Sequence, residues 1–184
     1  MSWQIDTHHS EIAFKVRHLM ISNVSGIFTD YKGTVDFNET DPAKSAVAVE
    51  INPASINTRD PGRDGHLTSP DFFDVAQYPT ITFKSTNIAV IDVKNGNVTG
   101  DLTMHGVTKP VTLKVEYMGK VKNPASGLIT AAFNATTKIN RKDWDLSWNM
   151  VLEAGGMAVG DEISISIDAE LFEVQPAVEA AATA

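Results

Sequence analysis

The chain has 184 residues, 42% of them hydrophobic, with fifteen basic against twenty-three acidic residues and a formal charge of −8. That length suits one domain with a sizeable core, and the apolar content excludes a disordered chain. The acidic balance argues against nucleic acid or an anionic membrane surface as the main partner, and the absence of cysteine removes disulfides and thiolate chemistry.

The first ten residues have neither a basic nor an apolar leader region, and no apolar run approaches the roughly 20 residues of a membrane span. A cytoplasmic location is expected, or a periplasmic one if a signal peptide has been removed. Trp3 and Ile5 open an alternating pattern that resumes at Ile12, Phe14 and Val16, against Glu11, Lys15 and Arg17. Residues 18–23 break the pattern and predict a turn. Residues 24–37 read as a long strand in which Gly26 and Gly33 predict a bend or bulge. Val47, Val49 and Ile51 mark the next strand, ended by Asn52-Pro53.

Residues 53–79 differ, being rich in Pro, Gly, Asp and Ser with no period-two run. Ser69-Pro70-Asp71 has the pattern of a helix start. The segment is expected to be a crossover excursion with short helices, lying over one end of the sheet. Ile81 and Phe83 mark one strand, and residues 88–93 another, with a hairpin turn predicted at Asn95-Gly96. Residues 100–113 read as a second hairpin turning at His105-Gly106, with Pro110 at the start of the returning strand or facing solvent. A turn follows at residues 123–127, and Ile129, Ala131, Phe133, Ala135, Thr137 and Ile139 then share a face. Ile163, Ile165, Ile167, Ala169 and Leu171 form the clearest strand of all. A domain over residues 1–174 is expected, with residues 175–184 as a disordered tail.

Short alternating strands with frequent turns predict an antiparallel sandwich or barrel, between which pattern alone does not choose. The small–large alternation through Ala131, Phe133 and Ala135 fits a cavity and fits interdigitated core layers equally. Phe14, Val16, Phe28, Leu102, Met104, Phe133, Ile163, Ile165 and Ile167 are expected to point inward.

Across the chain stand, in order, Trp3-Gln4-Ile5-Asp6, His9-Ser10, Val16-Arg17-His18, Ser55-Ile56-Asn57-Thr58 and Arg63-Asp64 with His66-Leu67. Asp71-Phe72-Phe73-Asp74, Tyr78-Pro79, the hairpin around His105-Gly106, Asn140-Arg141-Lys142-Asp143 and Val159-Gly160-Asp161-Glu162 complete the series. Taken together these resemble the YceI-like family of lipocalin-like bacterial polyisoprenoid-binding proteins, from Trp3 to about Val174. The resemblance implies an all-β, antiparallel lipocalin-like barrel. It also implies an apolar pocket for a polyprenyl phosphate, an isoprenoid quinone or a related amphiphilic lipid. Two departures stand out: Trp144-Asp145 where relatives usually carry Phe-Gly, and Met104 where Ile is common.

The ligand-binding set expected from this is Phe14, Val16, His18, Phe28, Arg63, His66, Leu102, Met104, Phe133, Arg141, Trp144 and Ile165. A prenyl tail needs only apolar wall, since each CH₂ taken from water contributes about 0.8 kcal/mol. A head group needs a few placed polar groups, for which the sparse arginines are candidates. Arg63 and Asp64 have an equally available role in pinning the excursion, as Arg141 and Asp143 do in stabilising their turn. The five histidines lack zinc-ligand spacing, and the chain has no nucleophile elbow, acid pair or cofactor fingerprint. No metal, no catalytic residue and no cofactor beyond a bound lipid are expected. A lipid-transforming enzyme or a ligand-free structural module are the alternatives, and a homodimer is left open.

Overall fold

Alternation of the kind described above buries one face of a strand, and eleven such strands need one another's edges. In the computed structural model, which describes residues 3–174, they form one antiparallel sheet that meets itself. The strands are β1 (Trp3–Ile5), β2 (Glu11–His18), β3 (Ser22–Phe28), β4 (Tyr31–Asp36), β5 (Ala46–Ile51) and β6 (Ile56–Asn57). After helix α1 (Pro61–Thr68) come β7 (Ile81–Val90), β8 (Asn95–Met104), β9 (Val107–Lys122), β10 (Ile129–Asn140) and β11 (Val159–Glu173).

The short strands are halves of longer staves. β1 and β2 both lie along β11, at Ile5↔Leu171 and Ile12↔Ile167. β3 and β4 continue one line, as do β5 and β6. The ring is therefore a closed, eight-stave, up-and-down antiparallel barrel of lipocalin-like form. Closure removes the free edges, and eight staves leave an interior just wide enough to be filled or to hold one small ligand.

Several local expectations moved. The long strand over residues 24–37 breaks at Thr29-Asp30 rather than at a glycine, where the Ser55 hydroxyl accepts both main-chain N–H groups. Gly26 serves instead for close approach: a methyl there would overlap the Phe14 ring. The helix lies earlier than Ser69. Asp60 caps it by accepting from Gly62 N and Arg63 N, Pro61 occupies the first position, and Ser69 ends it. Residues 81–90 are one strand with a bulge between Ser85 and Asn87. The turn placed at Asn95-Gly96 falls at residues 91–94, because Asp92 Oδ1 gathers the N–H groups of Lys94 and Asn95 and draws the turn forward.

The hairpin at His105-Gly106 is where the alternation put it, with φ of 50° and 75° at its two turn residues. The excursion over residues 58–80 joins neighbouring staves and lies over one end of the barrel. The end it covers is called the lidded end below. Residues 175–184, expected as a disordered tail, lie outside the described residues.

Two packed clusters close the two ends. At the lidded end Ile81, Met104, Val111, Trp144 and Leu146 are buried, with Phe28 and Phe73 against them. At the other end Trp3, Ala131 and Leu171 are buried beneath Phe37, Tyr117 and Phe133. Phe37 meets Phe133 edge to face with centroids 5.1 Å apart, a favoured aromatic geometry. One wall seam is not laddered: pairing of β9 with β10 stops at Lys114↔Thr136, while β10 continues along β11 to Asn140. Pro110, which has no N–H to donate, falls in this unpaired stretch with its side chain exposed.

Candidate functional site

The barrel's waist is the candidate site, and register defines its wall. Leu171 is buried in the core, so Ile163, Ile165, Ile167 and Ala169 on the same face point inward. Across β11 their partners are Ile12, Phe14 and Val16, and beyond these Val24, Gly26 and Phe28. On the other side the wall passes through Ala135, Val115, Leu113 and Val98. Val49 and Phe83 complete the ring. Gly26 apart, which is buried, these waist residues are half-buried although the closed sheet hides their flanks, whereas each end has a fully buried nucleus, Ile81, Met104, Val111, Trp144 and Leu146 at one and Trp3, Ala131 and Leu171 at the other.

The large side chains explain the difference. Phe14 is register partner to Gly26 and its ring occupies the space a side chain would take there. Phe83 lies over Gly100 in the same way, with ring carbons 2.5 and 2.8 Å from where a Cβ would stand. Both rings pack onto a glycine of a neighbouring strand, which lines the wall with aromatic surface and leaves its large residues half-buried.

The inward hydroxyls are turned into the wall. Tyr31 OH donates to Ser10 O at 2.6 Å, and Thr137 Oγ1 donates to Thr112 O at 2.9 Å. Ser85 Oγ accepts from Val47 N at 2.9 Å. Burial raises the Tyr31 phenol above its ordinary value, reinforced by the nearby Glu11 and Asp6 charges. Among the described residues the waist therefore presents a largely apolar surface without charge, whose hydroxyls each have a main-chain partner.

The expected site residues separate into groups. Phe14, Val16 and Ile165 are on the waist wall, with Phe28 and Leu102 where the waist meets the lidded-end cluster. Met104 and Trp144 belong to that cluster, and Trp144 Nε1 donates to Leu102 O. Phe133 belongs to the opposite aromatic cluster. His18 ends β2 on the inward register at the lidded rim.

Arg63 and His66 are held on α1 and Arg141 in the helical turn that follows β10. Arg63 donates from Nε to Thr58 Oγ1 and from Nη2 to Thr58 O, while Asp64 Oδ1 accepts from the Thr58 N–H and hydroxyl. His66 Nε2 lies 2.9 Å from Asp71 Oδ2, and its ring meets Trp148 edge-on at 4.6 Å. Arg141 is only 3% exposed, and its guanidinium donates to the carbonyls of Gly160, Leu146, Trp148 and Val159 and to Asp161. Burial pushes its pKa down, and Asp161 opposes the shift.

Asp145 adopts φ 59° and ψ 15° as the cap of the turn that holds Trp144. The left-handed geometry is thus kept by an acid, a residue type that tolerates it better than most.

Sequence reasoning did not single out Val49, Phe83, Leu113 and Val115 as wall. The period-two run from Val111 to Tyr117 carried that signal for β9. Lys109 was also missed. It faces Leu102 across the ladder on the inward register, exposed at the lidded rim, and the spacing Val107-Lys109-Val111 marks it. A crevice of about 500 Å³ between Ser55 and Asp64 lies outside the barrel and is mostly polar, unlike the waist.

Comparison with known proteins agrees with this architecture. A family model described as the YceI-like domain matches residues 3–171. A UPF0312 protein of Staphylococcus aureus (strain N315) is 34% identical over 169 residues, 92% of this chain and 96% of that one. The crystal structure of the Campylobacter jejuni YCEI protein superposes with a TM-score of 0.74 at 34% identity, covering 86% of this chain and 90% of that one. A polyisoprenoid binding domain from Saccharophagus degradans, implicated in plant cell wall breakdown, shares the fold at a TM-score of 0.64 and 15% identity, covering 94% and 98%. From the matched motifs, the barrel and these relatives together, the chain belongs to the YceI-like family.

Proposed function

We propose that this protein binds and carries one long isoprenoid chain, such as a polyprenyl phosphate or an isoprenoid quinone, in the waist of the barrel, without transforming it. The observation that carries this reading is the waist itself: a closed apolar ring, half-buried, with its hydroxyls tied to the main chain. Such a wall discriminates by apolar bulk alone, at about 0.8 kcal/mol per CH₂ removed from water. The name of the Saccharophagus degradans domain supports the ligand class. A wall without charge, whose hydroxyls are engaged with the main chain, supports binding rather than turnover of the buried chain.

Entry is at the lidded end. There the cover is loop and helix, outside the ladder, and such segments open at lower free energy than laddered strands. The opposite end is closed by side chains of the strands themselves. A head group would rest at the lidded rim, where His18 and Lys109 carry the polar positions of the inward register.

Native mass spectrometry after mixing with a polyprenyl phosphate and, separately, with an isoprenoid quinone tests the reading. The expected result is a one-to-one adduct with at least one of them. A folded protein that takes up neither would overturn it in favour of a filled or idle barrel.

A further inference from the structure

Six large apolar side chains are exposed at the lidded end, and they belong to two touching tips. Leu19, Met20 and Ile21 form the β2–β3 turn, with Ile21 83% exposed. Met150, Val151 and Met157 lie on a small hairpin closed by the Val151↔Met157 bridge, with Val151 75% exposed. The tips are joined: Leu19 N donates to Ala158 O at 2.8 Å, and Met20 Cγ stands 3.2 Å from where a Cβ on Gly156 would be. Trp148, which holds the lid through His66 and Phe72, precedes Met150 by two residues. The patch therefore continues the rim of the proposed entrance.

We infer that these tips insert into the surface of an uncharged or zwitterionic lipid bilayer, setting the lidded mouth against the phase in which a long isoprenoid resides. This rests on the carrier reading above. Between them the tips, residues 19–21 and 150–157, carry a single charged side chain, Glu153. Nothing in them calls for anionic lipid, and the chain's charge of −8 disfavours it. A second copy is the weaker occupant. Six side chains fall well short of the roughly 20–30 residues a side of a stable interface. A two-fold contact centred here would also set Glu153 against its own copy, and two chains of −8 against each other. Unbranched methionines and aliphatic tips adapt to hydrocarbon, which asks for no complementary shape.

The test is flotation of the full-length chain with phosphatidylcholine vesicles, alongside the double variant Ile21→Ser, Val151→Ser. Both positions are exposed, so the fold does not depend on them. The partition coefficient is expected to fall by at least about tenfold in the variant and to be unchanged by high salt, as apolar insertion requires. Equal partitioning of both proteins, no partitioning of either, or binding only to anionic vesicles in low salt overturns the inference. So does a dimer, seen by analytical ultracentrifugation, that the variant dissolves. Uptake of a short, water-soluble prenyl phosphate separates this from the carrier reading. The variant should bind it as the parent does, whereas a parent that takes up neither it nor a short-chain isoprenoid quinone sinks the carrier reading whatever the vesicles show.

Discussion

Ala131 and Ala135 are the same residue type on the same face of the same strand, four positions apart, yet one has no exposed surface and the other is half-buried. Around Ala131 the large side chains project: Trp3, Phe37, Tyr117 and Phe133 meet one another across the end of the barrel. Around Ala135 the neighbours are Val115 and Ile167, and the rings of that level recline on Gly26 and Gly100. The half-burial of the waist goes with the direction of the large residues and the glycines that receive them, not with smallness along the wall. Ends made rigid by interlocking leave a waist free to hold something else.

The comparison can be broken most severely at an end. Replacing Arg141 by Met strands the carbonyls of Leu146, Trp148 and Gly160, and is expected to destabilise the fold by about 3–5 kcal/mol in urea unfolding. Arg141→Lys should restore little, because one ammonium cannot reach the carbonyls of both Leu146 and Gly160. An effect below about 1 kcal/mol would mean that the loop over residues 141–158 does not hold the lidded end.

The alanine pair sharpens the contrast directly. Ala131→Phe overpacks a filled end and should cost about 1–3 kcal/mol, whereas Ala135→Phe should cost less than about 1 kcal/mol. The second variant should lose isoprenoid uptake in native mass spectrometry while unfolding near the parent's midpoint. Equal destabilisation by the two would show the waist to be as full as the ends.

A smaller gain is expected at the lidded end from Asp145→Gly. Relief of the left-handed geometry should raise stability by about 0.5–1 kcal/mol, offset in part by the greater freedom of the unfolded glycine. Thermal melts with and without ligand would measure it.

The smallest effect concerns the corner between β1 and β2. His9 Nδ1 lies 2.9 Å from Asp6 Oδ2, which raises the histidine above its ordinary 6.5 and lowers the aspartate below 3.8. The histidine's share of stability is complete below 6.5 and fades as pH rises through its raised value. The aspartate's share is complete above 3.8 and fades as pH falls through its lowered value. His9→Ala should therefore melt with a flatter pH profile above about 6.5 than the parent, with little change elsewhere.

Period-two runs and turn residues made the staves legible, and the motifs carried the family. Gly26 was noticed but assigned to a bend, because a glycine that frees the backbone and one that makes room for a ring look alike in one dimension. The turn at residues 91–94 was hidden because Asp92's side chain outcompetes the Asn95-Gly96 signal. Of the candidate site, the inward face was legible from alternation. The division of that face into ends and waist was not, since it depends on which large residues meet across the interior. Lys109 sat in plain alternation with Val107 and Val111, masked by its charge.

The stave that closes the ring beside β4 is β1, only three residues long, and it pairs Trp3 with Glu173. β2 likewise finds its partner in β11, so every closing contact joins the two extremes of the sequence. Closure is therefore a junction of high contact order, of the kind that slows folding, and a chain in which it is not made has strand edges free to pair with other chains.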